Sequence, residues 1–87
     1  MTEQKYLPNG SIVLVKGGTK KLMIYGRKQL LLKENEQMYD YLAVPYPEGY
    51  INPDYSYVFN HSDIEEIIFY GFTDKEENEF QHVLQQA

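Results

Sequence analysis

A mainly β (α+β) fold is predicted by three observations. Two apolar runs, 12–15 and 22–25, flank Gly17, Gly18, Thr19, Lys20 and Lys21, which is how an antiparallel hairpin reads. Glycine takes positive φ without a Cβ clash, and Val, Ile and Tyr suit a pleated surface. Further short runs at 37–44, 56–60 and 66–72 are separated by Pro, Gly, Asn and Asp turn signals. Last, Phe80, Val83, Leu84 and Ala87 fall at i, i+3, i+4 and i+7, one apolar stripe of a terminal helix. Together these describe a small five- to six-stranded SH3-like barrel or strongly bent antiparallel sheet with a C-terminal helix. An open α+β roll is second, and strand order stays open.

The elements follow in order. Asn9-Gly10 is a turn that leads into a first strand at 11–16, and the second strand runs over 20–26. Both faces of the first strand are apolar, Ile12 and Leu14 on one side and Val13 and Val15 on the other, so the hairpin is expected between two layers. Gly26 marks a bulge or a strand end. The segment 28–33, KQLLLK, fits a short strand or one helical turn, and 34–36 is a polar loop. In the third strand, 37–44, Met38, Asp40, Leu42 and Val44 alternate with Tyr39, Tyr41 and Ala43. Pro45, Pro47 and Gly49 stop it, because proline cannot donate to a ladder. After the loop 45–55 comes a strand at 56–60. Ser62 and Glu65 then have capping-box spacing for a helical turn at 63–65, and Thr73 and Glu76 repeat it ahead of the helix. Phe80 and Leu84 are expected to pack, with Glu76 and Glu79 in water.

Eighty-seven residues correspond to one domain, 1–87, divided into a β-rich body at 7–72 and an amphipathic helix at 73–87. A core in a chain of this length removes roughly 60 to 65% of the unfolded surface from water. There is no cysteine, hence no disulfide framework or thiolate site, and a reducing cytoplasm is the simple expectation. No apolar run approaches a bilayer span and the first ten residues lack a secretory pattern, so a soluble chain without membrane insertion is expected. The net charge is -5, unevenly spread: seven bases and one acid lie in 1–33, twelve acids and one lysine in 34–87. Nucleic acid is disfavoured, since phosphates seek a basic surface. The asymmetry reads either as a charged binding face or as two halves that offset each other within the fold.

No catalytic constellation emerges. His61, Ser62 and Asp63 have triad residue types, but adjacent side chains diverge and cannot share a proton path. His82 has no histidine at i+4, the acids at 65–66 and 74–79 lack calcium-loop spacing, and Gly17-Gly18 joins strands rather than opening a helix. No metal and no cofactor is expected. Tyrosine is the excess: nine residues, concentrated around the loop PYPEGYINPDY. Amphipathic rings on a proline-stiffened loop suit a protein interface. The same rings also suit the rim and small core of a β domain; on the interface reading Tyr46, Tyr50 and Tyr55 are the candidate partner contacts, with the basic residues Lys20, Lys21 and Arg27 as a second candidate face.

The blocks LPNGSIVLVKGGTKKLMIYGR, YDYLAVPYPEGY and FNHSDIEEIIFYGF resemble a family of small uncharacterised proteins of Gram-positive bacteria, often encoded in type VII secretion loci near Esx-like and LXG-toxin genes. The resemblance spans 7–72 and brings no catalytic residues with it. It implies a cytoplasmic, non-enzymatic accessory or adaptor that binds a toxin, a secretion substrate or a machine component. The alternative is an immunity-type inhibitor of a secreted toxin, its acidic half blocking or mimicking a substrate.

Overall fold

In the computed structural model, which describes residues 6–31 and 37–86, five antiparallel strands form one sheet. They are β1 (Ile12–Val15), β2 (Leu22–Leu31), β3 (Gln37–Pro45), β4 (Tyr57–Phe59) and β5 (Ile64–Phe69), followed by helix α1 (Lys75–Gln86). The order across the sheet is β4-β3-β2-β1-β5. β4 and β5 are the two edges and do not pair, so the fold is an open antiparallel sheet with a C-terminal helix rather than a closed barrel. The expected loop at 34–36 and Ala87 of the helix stripe lie outside the described residues.

The hairpin forms where its glycines predict: Gly17 has φ 82° and the Gly18 N–H returns to the Val15 carbonyl at 3.0 Å. Its registered ladder is short, Ile12 opposite Met23 and Val13 opposite Leu22. The longest pairing is instead β2 with β3, from Leu22 opposite Pro45 to Leu31 opposite Gln37. Gly26 sits at a bulge in this ladder and β2 continues past it through 28–31, so that segment is strand as far as Leu31. The bulge keeps both Ile24 and Arg27 on the inner face, and that placement decides how the helix docks.

The core is one layer deep. Val13, Ile24, Tyr41 and Ala43 are fully buried and pack with Leu7, Leu22, Phe59 and Leu84. Ile12 and Leu14, on the other face of β1, are only half-buried. The expectation that the hairpin lies between two layers is therefore corrected: among the described residues, one helix and the 6–8 segment cover the inner face and no second layer covers the other. Val44 is buried on the outer face beside the start of the 45–55 loop.

Two capping expectations shift by a residue or two. The helical turn after β4 is 3-10 and covers His61–Asp63, with the Asp63 carboxylate accepting the Asn60 N–H at 2.9 Å. An earlier turn lets β5 begin at Ile64, and the Ser62–Glu65 box does not form. For α1 the cap is Asp74, whose Oδ1 accepts the Glu77 N–H at 3.0 Å, in place of Thr73.

The helix also turns a different face to the sheet. Leu84 is buried as expected, but Gln81 accompanies it, while Phe80 and Val83 are exposed together with Glu76 and Glu79. Long-range polar bonds explain the rotation. The Gln81 amide pairs with the backbone of Tyr6 as a neighbouring strand would, Nε2 donating to the carbonyl at 2.7 Å and Oε1 accepting the N–H at 3.1 Å. Arg27 donates to both Glu77 carboxylate oxygens, at 2.9 and 3.0 Å, and to the Leu7 carbonyl at 2.9 Å. These contacts satisfy buried polar groups completely, and such groups hold their partners strongly.

Candidate functional site

The loop between β3 and β4 is held at several points by its own sequence. The Gly49 N–H donates to the Pro45 carbonyl at 2.7 Å, and a 3-10 turn at Pro53–Tyr55 is capped by Asn52, whose Oδ1 accepts the Asp54 N–H at 2.8 Å. The Tyr46–Pro47 peptide is cis. Two contacts tie the loop to the first hairpin: the Tyr46 N–H donates to the Lys21 carbonyl at 2.9 Å, and Lys20 pairs with Glu48 at 2.8 Å. The Lys20 ammonium lowers the Glu48 carboxyl below its ordinary value. That pair is exposed and screened, so it orients the loop more than it stabilises the fold.

On this frame the predicted tyrosines face water: Tyr46 is 41%, Tyr50 61% and Tyr55 47% exposed. Tyr50 meets Tyr25 of β2 edge to face at 6.5 Å, so the aromatic surface reaches beyond the loop onto the sheet. Tyr25 was not among the sequence candidates. Tyr25 is itself the extra residue of the β2 bulge, between Ile24 opposite Ala43 and Gly26 opposite Leu42, and that placement is not readable from the run LMIYG. Tyr57 and Ile51 are also exposed. Large amphipathic rings with lost backbone freedom are what protein interfaces use as anchors, since little entropy remains to be lost on binding.

The basic candidates separate. Lys20 and Lys21 are exposed beside the loop, the former through its bond to Glu48. Arg27 does not join them. It is buried, bonded to Leu7 and Glu77, and lies 5.4 Å from the Phe80 ring centroid, so its charge is spent inside the fold. The ion pairs Lys20–Glu48 and Arg27–Glu77 each join the basic first third to the acidic remainder, so part of the asymmetry is offset internally.

In the histidine-serine-aspartate run, His61 and Asp63 bond to neighbouring elements rather than to each other. The His61 N–H donates to Asp40 Oδ2 at 2.8 Å, and His61 Nδ1 lies 2.7 Å from the Tyr41 hydroxyl, which also accepts the Leu7 N–H at 2.9 Å. Which of the two donates in the Tyr41–His61 bond is set by the imidazole tautomer, and the hydroxyl can serve both bonds at once. Burial pushes the Tyr41 hydroxyl up to about 12, so it stays protonated and serves as a core hydrogen-bond bridge. Asp63 is occupied with Asn60. Among the described residues no group of three His, Asp or Glu side chains is placed to hold a metal ion, and no helix is long and apolar enough to cross a membrane.

No curated protein and no solved structure matches the chain. A family model does match, over residues 6–80, from the Tyr6 strand-like contact with the helix through all five strands to Phe80. The chain belongs to that family, described as Domain of unknown function (DUF4176).

Proposed function

We propose that this protein is a non-enzymatic adaptor that holds a protein partner through the 45–55 loop. The observation that carries the reading is the exposure of Tyr46, Tyr50 and Tyr55 on a loop whose backbone is pinned by Asn52, Gly49 and Lys21. A pinned aromatic surface costs little ordering entropy on association, and tyrosine is among the commonest interface anchors. Lys20 and Lys21 border the same loop and would steer an acidic partner toward it.

The resemblance of the three sequence blocks to proteins encoded in type VII secretion loci supports a place in that pathway. In this proposal the protein works in the cytoplasm and its partner is a toxin, a secretion substrate or a component of the machine. Pull-down with the products of neighbouring genes tests it. An adaptor retains the secretion-targeting region of a substrate, whereas an immunity-type inhibitor retains the toxic domain. In either case Tyr46→Ala and Tyr50→Ala should each weaken capture by more than about 1 kcal/mol. Retention that is unchanged in both variants removes the loop from the interface.

A further inference from the structure

Apart from the Phe80 ring, one side of which lies over the Arg27 guanidinium, the outward face of α1 is not used by the loop or by the core. Phe80 and Val83, with Phe72 from the segment after β5, border an open groove of about 580 Å³. All three side chains face water, Phe72 at 79%, Val83 at 57% and Phe80 at 45% exposure. Upstream of them Phe69 and Tyr70 are exposed as well, so apolar surface continues along the chain from the edge strand β5. The rim carries Asp74, Glu76 and Glu79. Acids in the first turn are explained in part by the helix dipole. The dipole does not account for two phenylalanines and a valine left in water between them, and contiguous apolar surface framed by charge marks an interaction site.

The chemistry of the rim selects the occupant. Glu77 is committed to Arg27, but Asp74, Glu76 and Glu79 are exposed, with Lys75 as the only lysine or arginine on the helix and His82 exposed beside it. Anionic phosphates, whether of nucleic acid or of a lipid surface, are repelled. A second copy of the chain is disfavoured too, because a two-fold contact through this patch sets one acidic rim against the other, on protomers that each carry -5. The groove is open rather than enclosing, which suits a peptide segment better than a small molecule. We propose that the groove between Phe72 and the outward face of α1 docks a lysine- or arginine-bearing apolar segment of a protein partner. None of the loop tyrosines takes part, so this site and the aromatic loop succeed or fail separately.

The test is a 15N NMR titration of the full chain with an amphipathic lysine–leucine peptide, and with its glutamate–leucine counterpart as control. Shifts should centre on Phe72, Phe80 and Val83 with the cationic peptide alone. Phe72→Ser and Val83→Ser should each weaken binding about tenfold, as should the pair Glu76→Lys with Glu79→Lys, while Tyr50→Ala leaves it unchanged. Circular dichroism melts verify folding, and since Val83 makes no polar contact its variant carries the readout if Phe72→Ser unfolds. The proposal is overturned by shifts spread over acids elsewhere, by equal binding of the two peptides, or by apolar variants that bind as well as wild type. It is equally overturned if sedimentation of the free chain shows a dimer that Val83→Ser dissociates, or if anionic vesicles bind and Val83→Ser abolishes that binding.

Discussion

The 45–55 loop and the C-terminal segment 71–86 are both attached to the same sheet, and they are attached by opposite means. The loop is shaped mainly by neighbours in sequence: Asn52 caps Asp54, Gly49 reaches Pro45, and Ser56 reaches Pro53. Its large side chains are left outside. The C-terminal segment is held by residues far away, Gln81 to Tyr6 across 75 positions and Glu77 to Arg27 across 50. Gln81 and Glu77 are turned inward, while three of its apolar side chains, Phe72, Phe80 and Val83, are turned outward. Local contacts give a loop a shape that is free to present side chains, whereas long-range contacts use polar side chains as structural connectors.

The comparison breaks most visibly at Arg27. Arg27→Ala leaves the Glu77 carboxylate without its counter-charge and the Leu7 carbonyl without a donor; loss of one partner from a fully buried pair costs about 3 to 5 kcal/mol, and with Glu77 only part-buried the lower end of that range is expected. We expect a urea unfolding midpoint so reduced that the helix is released or the chain does not fold. A midpoint near that of wild type would mean that the pair is not what seats α1.

Gly71 offers the next largest effect. A Cβ there would stand 2.5 Å from the Asn9 carbonyl oxygen and 3.0 Å from the Ser11 nitrogen, both backbone atoms with little room to move. The Gly71 N–H also donates to Ser11 Oγ at 2.9 Å. Gly71→Ala should therefore destabilise by about 1 to 3 kcal/mol, the range for overpacking a tight site, read from thermal and urea unfolding together.

Acid titration sharpens the contrast. The Arg27 guanidinium holds the Glu77 carboxyl below its ordinary value, against the opposing effect of its partial burial. The folded value lies below the unfolded one, so the stabilisation is complete above the unfolded pKa and is lost as pH falls through the folded pKa. Glu77→Gln should start less stable and lose less stability than wild type between about pH 7 and pH 3. Glu48, in the loop, is lowered by Lys20 of the first hairpin, but that pair is solvent-exposed and screened, so Glu48→Gln should follow the wild-type acid profile. Parallel acid profiles for wild type and Glu77→Gln would contradict the assignment.

The smallest effect on stability belongs to the loop. Tyr46→Ala and Tyr50→Ala remove exposed rings, Tyr50 losing its edge contact with Tyr25, and each should cost less than about 1 kcal/mol by calorimetry. A larger fall at both positions would make the loop a structural element like the C-terminal segment, and the difference between the two regions would disappear.

Much of this was legible in the residues themselves. Gly17 and Gly18 placed the hairpin, the alternation over 37–44 identified Tyr41 and Ala43 as one face of β3, and the proline-tyrosine composition marked the exposed loop, because turn chemistry and strand period act over a few residues. Whether Tyr46, Tyr50 and Tyr55 pack into the rim or stand in water was open in the sequence, and the structure leaves them exposed. The helix was found from its stripe, but the stripe was a poor guide to its docking. Which side of α1 meets the sheet depends on Tyr6, Leu7 and Arg27, and those are brought together only when the β2 bulge turns Arg27 inward and the 6–8 segment crosses beneath the helix. Arg27 looked like a surface base for the same reason: a charged residue is buried only where specific partners satisfy it, and partners so distant in sequence leave no local trace. By itself, then, the sequence determined the mainly β class, the turns and the aromatic loop. Strand order, the buried Arg27–Glu77 pair and the outward turn of Phe80 and Val83 were decided only by the tertiary structure, through desolvated hydrogen bonds between residues remote along the chain.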